Sequence, residues 1–106
     1  MQIKRIEEME KSLNISIKII RQFEEALKEY NKVQKHINKI SKYYGSKDWY
    51  KDFDDYNNKK TNIKAGVLSE DGIYNVIMEN KEIGKELNKL SKEILEEKIW
   101  YVQNVM

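Results

Sequence analysis

The densest set of ligand-type side chains in this sequence of 106 residues is Asp48, Asp52, Asp54 and Asp55. On a helix Asp48 and Asp52 share a face at i, i+4, and Asp52 and Asp55 share one at i, i+3, so a hard cation between them is chemically conceivable. A calcium loop needs more, namely a glycine at its sixth position and a bidentate glutamate at its twelfth. Counted from Asp52, the glycine is missing and Ile63 stands where the glutamate belongs. A solvated acidic face is the better reading. His36, the single histidine, lies between Lys35 and Ile37 at the edge of a polar helical face, and a surface role outweighs catalysis or metal binding there. No Ser/His/acid arrangement, phosphate-cradling glycine loop or metal-ligand spacing accompanies it. Neither an enzyme nor a cofactor is expected.

The lysines offer a different chemistry. Lys28, Lys32, Lys35, Lys39 and Lys42 fall within about 80° of arc on a helix, opposite its apolar stripe, with Arg21 extending the row. Five ammonium groups in one line suit a phosphate backbone or an acidic protein surface. The blander reading is a solubilising face with cations near a helix C-terminus, and it is the preferred one. No aromatic residue is interleaved with the row, so base stacking has no support.

These side chains need helices to position them, and the apolar pattern supplies them. Ile6, Met9, Leu13, Ile20, Phe23, Leu27, Tyr30, Ile37 and Tyr44 recur at spacings of three and four, widened on one side by Ile19, Ala26, Val33 and Ile40. That pattern predicts a helix over residues 3–44 that packs along its whole length. Ser16, Gln34 and Ser41 interrupt the stripe. The stripe stops at Tyr43-Tyr44-Gly45-Ser46-Lys47-Asp48-Trp49, where Gly45 can close a helix in the left-handed conformation and Ser46 can cap the next one. A short helix over 47–57 follows, with Trp49, Phe53 and Tyr56 on one face. Eleven residues cannot hold a helix alone in water, so this face must pack on other helices.

The polar loop 57–65 is the one place where disorder is expected. A second long helix is read from about 70 to about 103, capped by Ser69, with Glu70 and Asp71 near its positive end. Gly72 leaves its capping box incomplete. Its stripe is Ile73, Val76, Ile77, Ile83, Leu87, Leu90, Ile94, Tyr101 and Val105. Gly84 beside the stripe costs about 1 kcal/mol of helix propensity against alanine, which a close approach of another backbone or a bulky ring would explain. Tyr74 and Met78 lie on the flank, where the short helix is expected to cover them. Ile99 and Trp100 also lie off the stripe, with nothing obvious to cover them, and are candidate contact residues.

Composition agrees with this plan. The chain has no proline, four glycines and 36% charged residues, which long helices tolerate and a β-sandwich does not. Cysteine is absent, so a reducing compartment is the simplest setting. Met1 to Glu8 form no apolar leader, and no stretch nears the ~18 apolar residues of a membrane span. A soluble, cytoplasmic chain without a membrane partner is the expectation. Residues 1–43 carry ten basic and six acidic side chains, whereas residues 69–106 carry five and eight. Two such helices side by side attract each other, which favours pairing within the chain over a nucleic-acid partner.

The segment Tyr43-Tyr44-Gly45-Ser46-Lys47-Asp48-Trp49, followed by Gly66-Val67-Leu68-Ser69-Glu70-Asp71-Gly72-Ile73-Tyr74, resembles the bacterial domain of unknown function 4298 family, with its "YYGSxxW" turn and "GVLSED-x-x-Y" helix start. The likeness covers residues 40–95. It implies an all-helical fold and a bacterial or bacteriophage origin, and it brings no activity and no catalytic residues. A second likeness, to the hairpins of about a hundred residues exported by type VII secretion, is one of shape only. Gly45 precedes Trp49 by four residues here, and Tyr101 is followed four residues on by Val105 instead of an acid.

The expected architecture is all-α, a single helical domain over 1–106. Two long antiparallel helices form a coiled-coil-like hairpin with a short capping helix at the turn. Tyr44, Gly45, Ser46, Trp49, Phe53, Ser69 and Tyr74 would build that turn. The expected function is a non-enzymatic interaction protein that binds another protein through its helical surface. A phage- or mobile-element-encoded inhibitor of a nuclease, of the anti-CRISPR type, is one concrete form. Nucleic-acid binding through the lysine row is the alternative, and a homodimer is compatible with either.

Overall fold

The computed structural model describes residues 2–58, 65–69 and 71–105, with side chains through residue 96. Among these residues it contains α1 (Gln2–Tyr43), α2 (Lys47–Asn57), a 3₁₀ turn (Gly66–Leu68) and α3 (Gly72–Val105), and no strand. The protein is all-helical, with a long, a short and a long helix in the expected order. The long second helix begins at Gly72, two residues later than expected, because the backbone first makes the 3₁₀ turn. Residues 59–64, the heart of the expected disordered loop, lie outside the described residues. By internal contacts the chain divides into two compact units, Met1–Asn38 and Lys39–Met106, and the boundary falls inside α1.

The first unit is one helical segment. It is rich in Lys, Glu and Ile and free of proline, so nothing in its backbone opposes the helix. Arg21–Glu24, Lys28–Glu25 and Lys32–Glu29 form i, i+3 ion pairs at 3.7, 3.6 and 3.7 Å. All are exposed, and each contributes only a few tenths of a kcal/mol. From Ile6 to Leu27 the apolar stripe is exposed as well, from 43% at Leu27 to 59% at Met9, while Tyr30 and Ile37 are half-buried. The expectation that it packs along its whole length is corrected for this unit, because a lone helix contains no second element to cover its stripe. The two polar interruptions satisfy themselves. Ser16 Oγ donates to the Ser12 carbonyl at 2.7 Å, and Gln34 Nε2 donates to the Tyr30 carbonyl at 3.2 Å.

The second unit has a core of its own. The Tyr44 N–H donates to the Ile40 carbonyl at 2.9 Å, and Gly45 then takes φ +78°, the left-handed conformation that closes a helix at little cost only in glycine. The chain reverses there, and the Ser46 N–H donates to the Tyr43 carbonyl at 3.0 Å. Ser46 sits in extended backbone as the N-cap of α2, its hydroxyl accepting the Trp49 N–H at 3.2 Å. That start aims Trp49 inward, where it is 6% exposed, and Ile73 near the start of α3 is 1% exposed.

Beyond this core α3 is open. Ile83, Leu90 and Ile94 are 42–50% exposed. Among the described residues no atom beyond its own stretch of helix lies within 4 Å of where a Cβ would stand on Gly84, so the close neighbour expected there is not found among them. Tyr74 and Met78 are 50% and 39% exposed, so the expected cover by the short helix is also corrected. The α2 face is already occupied by Trp49 and its ring partners.

Candidate contact surfaces

Trp49 organises the second unit. Its ring stacks on Phe53 at a centroid distance of 5.1 Å and 21° between planes, as the i, i+4 spacing on α2 allows. Tyr44 and Tyr50 meet it edge-on, each at 5.2 Å. Its indole N–H donates to the Val67 carbonyl at 2.9 Å, which ties α2 to the 3₁₀ turn eighteen residues on. The buried polar tip of the tryptophan is thus satisfied, which lets the rest of the ring contribute as apolar surface. Of the expected turn residues, Tyr44, Gly45, Ser46, Trp49 and Phe53 come together directly.

Ser69 joins them from the other side. Its hydroxyl donates to the Gly66 carbonyl at 2.8 Å and accepts the Gly72 N–H at 3.0 Å, so it links the 3₁₀ turn to the start of α3. A Cβ on Gly72 would collide with the Gly66 carbonyl oxygen and come within 2.7 Å of Ser69 Oγ. The position that looks like an incomplete capping box is a place where only hydrogen fits. Tyr74 is placed differently from its six companions, on the exposed side of α3.

Beside the Trp49 core lies a shallow apolar groove of about 390 Å³ between Ile40, Val67, Ile73 and Val76. Its rim residues Val67 and Val76 are 41% and 38% exposed. Sequence reasoning missed this feature. Ile40 and Val76 belong to the stripes of different helices, and Val67 to a 3₁₀ turn that periodicity does not register.

The carboxylate cluster is arranged for structure. Asp52 Oδ2 accepts the Tyr43 hydroxyl at 2.6 Å, joining the end of α1 to α2. That bond, chiefly, with lesser contributions from burial and the negative charges of Asp52 and Asp48, raises the Tyr43 phenol to about 12. Among the described residues no three His, Cys, Asp or Glu side chains are placed to hold a metal ion. His36 is exposed on α1.

The lysines divide between the units. In the first, Lys28 and Lys32 share their charge with Glu25 and Glu29, while Lys35 makes no ion pair with a described residue. In the second, Lys39 and Lys42 likewise make none with a described residue, and Lys42 lies in the last turn of α1, where a cation is favourable. Ile99 and Trp100 lie on α3 beyond the described side chains. No helix among the described residues is long and apolar enough to cross a membrane.

A family model described as a domain of unknown function (DUF4298) matches residues 6–90, most of the chain and parts of both units. No curated protein matches the chain, and no solved structure does.

Proposed function

The chain belongs to the domain of unknown function 4298 family, and from that membership, which assigns no activity, we propose that it is a small non-enzymatic interaction protein. It acts by helical-surface contact with another protein. The observation that supports this best is the balance of its apolar surface. Among the described residues Trp49 and Ile73 are the buried hydrophobic side chains, while twenty large apolar ones are between 38% and 70% exposed. Exposed apolar surface on that scale marks contact sites.

The contact surface of the second unit centres on the groove between Ile40, Val67, Ile73 and Val76, with Tyr74 and Met78 beside it on α3. Ile99 and Trp100, further along α3 in the sequence, are proposed as additional contact residues. An inhibitor carried by a phage or mobile element, of the anti-CRISPR type, is the concrete form we favour, with a cytoplasmic bacterial target. Small size and a charged helical exterior support that form.

The test is capture from a bacterial lysate with the full chain as bait, compared with Val76→Arg. Val76 lies on the rim, so the substitution should leave the melting temperature within a few degrees of the parent. We expect a protein retained by the parent and lost with Val76→Arg. No retained protein at micromolar bait, or equal retention by both, would sink the reading.

Direct nucleic-acid binding is the second reading, supported by Lys35, Lys39 and Lys42, whose charges no described carboxylate offsets. It requires affinity that falls steeply with salt. Glu25 and Glu29 beside Lys28 and Lys32 weigh against it, and we expect a mobility-shift titration to show no complex even at about 50 mM salt.

A further inference from the structure

Resting on the reading that this protein acts by helical contact, we propose that α3 docks an amphipathic helix of a different protein. The docking face runs from Glu79 to Ile94, and the partner helix carries lysine or arginine along its flank. Ile83, Leu87, Leu90 and Ile94 recur on that face at spacings of four, three and four. Ile83, Leu90 and Ile94 are 42%, 50% and 50% exposed, and Leu87 is half-buried. Such a stripe is the seam that a second helix covers in coiled-coil packing.

Charge says what kind of helix fits. The stretch carries four glutamates and four lysines, and helix geometry sorts them. Glu79 lies four residues before Ile83, while Glu86 and Glu93 lie three after Ile83 and Leu90, so all three line one edge of the seam. Each is exposed, and none makes an ion pair with a described residue. Lys81, Lys85, Lys89 and Lys92 fall on the far side of the helix, where Lys85 pairs with Glu82 at 3.0 Å. The other edge of the seam, Ile77, Gly84 and Ser91, is uncharged. A helix laid in the seam therefore meets three uncompensated carboxylates, which lysine or arginine on its flank complements.

This chain does not supply that flank itself. The seam of α1 is edged by Ile19, Ala26 and Val33 on one side and by Glu10, Ile17, Glu24 and Asn31 on the other, and its lysine row lies opposite. The α3 of a second copy would set glutamate against glutamate when antiparallel, and against Ile77, Gly84 and Ser91 when parallel. The glutamate row repels a phosphate backbone and an anionic lipid surface alike. A basic helix of another protein is the occupant that remains.

The probes are two synthetic helices of about 21 residues, three heptads with leucine at both seam positions. One carries lysine at both flanks and the other glutamate, so that neither pairs with itself. Fluorescence anisotropy with the full chain should show the lysine helix binding more than ~10-fold tighter than the glutamate helix, and its affinity should fall as salt rises. Glu79→Lys, Glu86→Lys and Glu93→Lys together should reverse that preference. They should leave Tm within a few degrees of the parent, since these carboxylates hold nothing in the fold. Leu90→Ala should weaken binding of the lysine helix more than ~5-fold. Equal binding of both probes, no binding of the lysine helix at about 100 µM, or a preference that survives the three reversals overturns the inference. If the lysate capture that depends on Val76 succeeds and these probes fail, this inference alone falls. If the probes behave as expected and the capture fails, the reading of the groove falls instead.

Discussion

The two units solve the same physical problem differently. Residues 39–106 bring the end of α1, α2 and a 3₁₀ turn together around one tryptophan, and Ser69 ties that turn to the start of α3. Almost every device there is local: a left-handed glycine, a serine cap, an i, i+4 ring stack. Among the described residues the Trp49 to Val67 hydrogen bond is the one that reaches far along the chain. Residues 1–38 have propensity, ion pairs of small worth and an open apolar seam. A helix of that kind takes its stability from what covers it, whereas the second unit carries part of its own. Length of helix is therefore a poor guide to where stability resides in this protein. The number of elements that meet at one side chain is a better one.

The strongest way to break this contrast is to remove the ring on which the second unit depends. Trp49→Ala deletes a side chain that is 6% exposed, three ring contacts and the bond to Val67. Truncating a buried tryptophan costs about 3–5 kcal/mol, and in a domain this small that lowers Tm by more than ~10 °C. Thermal melts followed by near-ultraviolet circular dichroism measure it. A variant that melts like the parent would mean that Trp49 is not the centre of the unit. Next in size is Gly72→Ala. Its methyl group has no room between the Gly66 carbonyl and Ser69 Oγ, so the 3₁₀ turn must shift, at about 1–3 kcal/mol. Denaturant titration should show the loss, although alanine is the better helix former.

Much of the second unit was legible because its signals are local. Gly45, Ser46 and Trp49 announce a helix end, a cap and an inward ring within five residues, and the boundaries of α2 follow directly. The role of Gly72 was not legible, since it depends on a carbonyl six residues earlier in a 3₁₀ turn that has no periodic signature. Burial was read less well than helix formation. Periodicity reports that Leu13 and Leu90 want to be covered, but it cannot say by what, and both are about half exposed. The groove escaped notice for the same reason, being made of residues that become neighbours only after the turn is built.

Gly84 sharpens the comparison from the other direction. Among the described residues no atom beyond its own stretch of helix lies within 4 Å of its missing Cβ, so Gly84→Ala meets no clash there and removes the entropy cost of glycine in mid-helix. It should stabilise α3 by about 1 kcal/mol. The gain should appear as a higher denaturation midpoint with an unchanged slope. A loss would show that a partner's backbone approaches α3 at this point.

The smallest expected effect depends on pH. Tyr43 donates its hydroxyl proton to Asp52, and the bond holds the phenol protonated up to about 12, against an ordinary value of 10.0. The protonated form is the one the fold prefers, so the contribution of this bond is complete below pH 10. As pH climbs from 10 through 12 the unfolded chain loses this proton first, and the contribution fades. Stability should therefore decline across that window by a small amount, as befits a bond at the surface. Absorbance at 295 nm should show one of the seven tyrosines titrating near 12. Tyr43→Phe should remove that late component and flatten this part of the decline, while Asp52→Asn should move the titration down toward 10. The same late component in Tyr43→Phe would assign the shift to another ring and break the link between α1 and α2 drawn here.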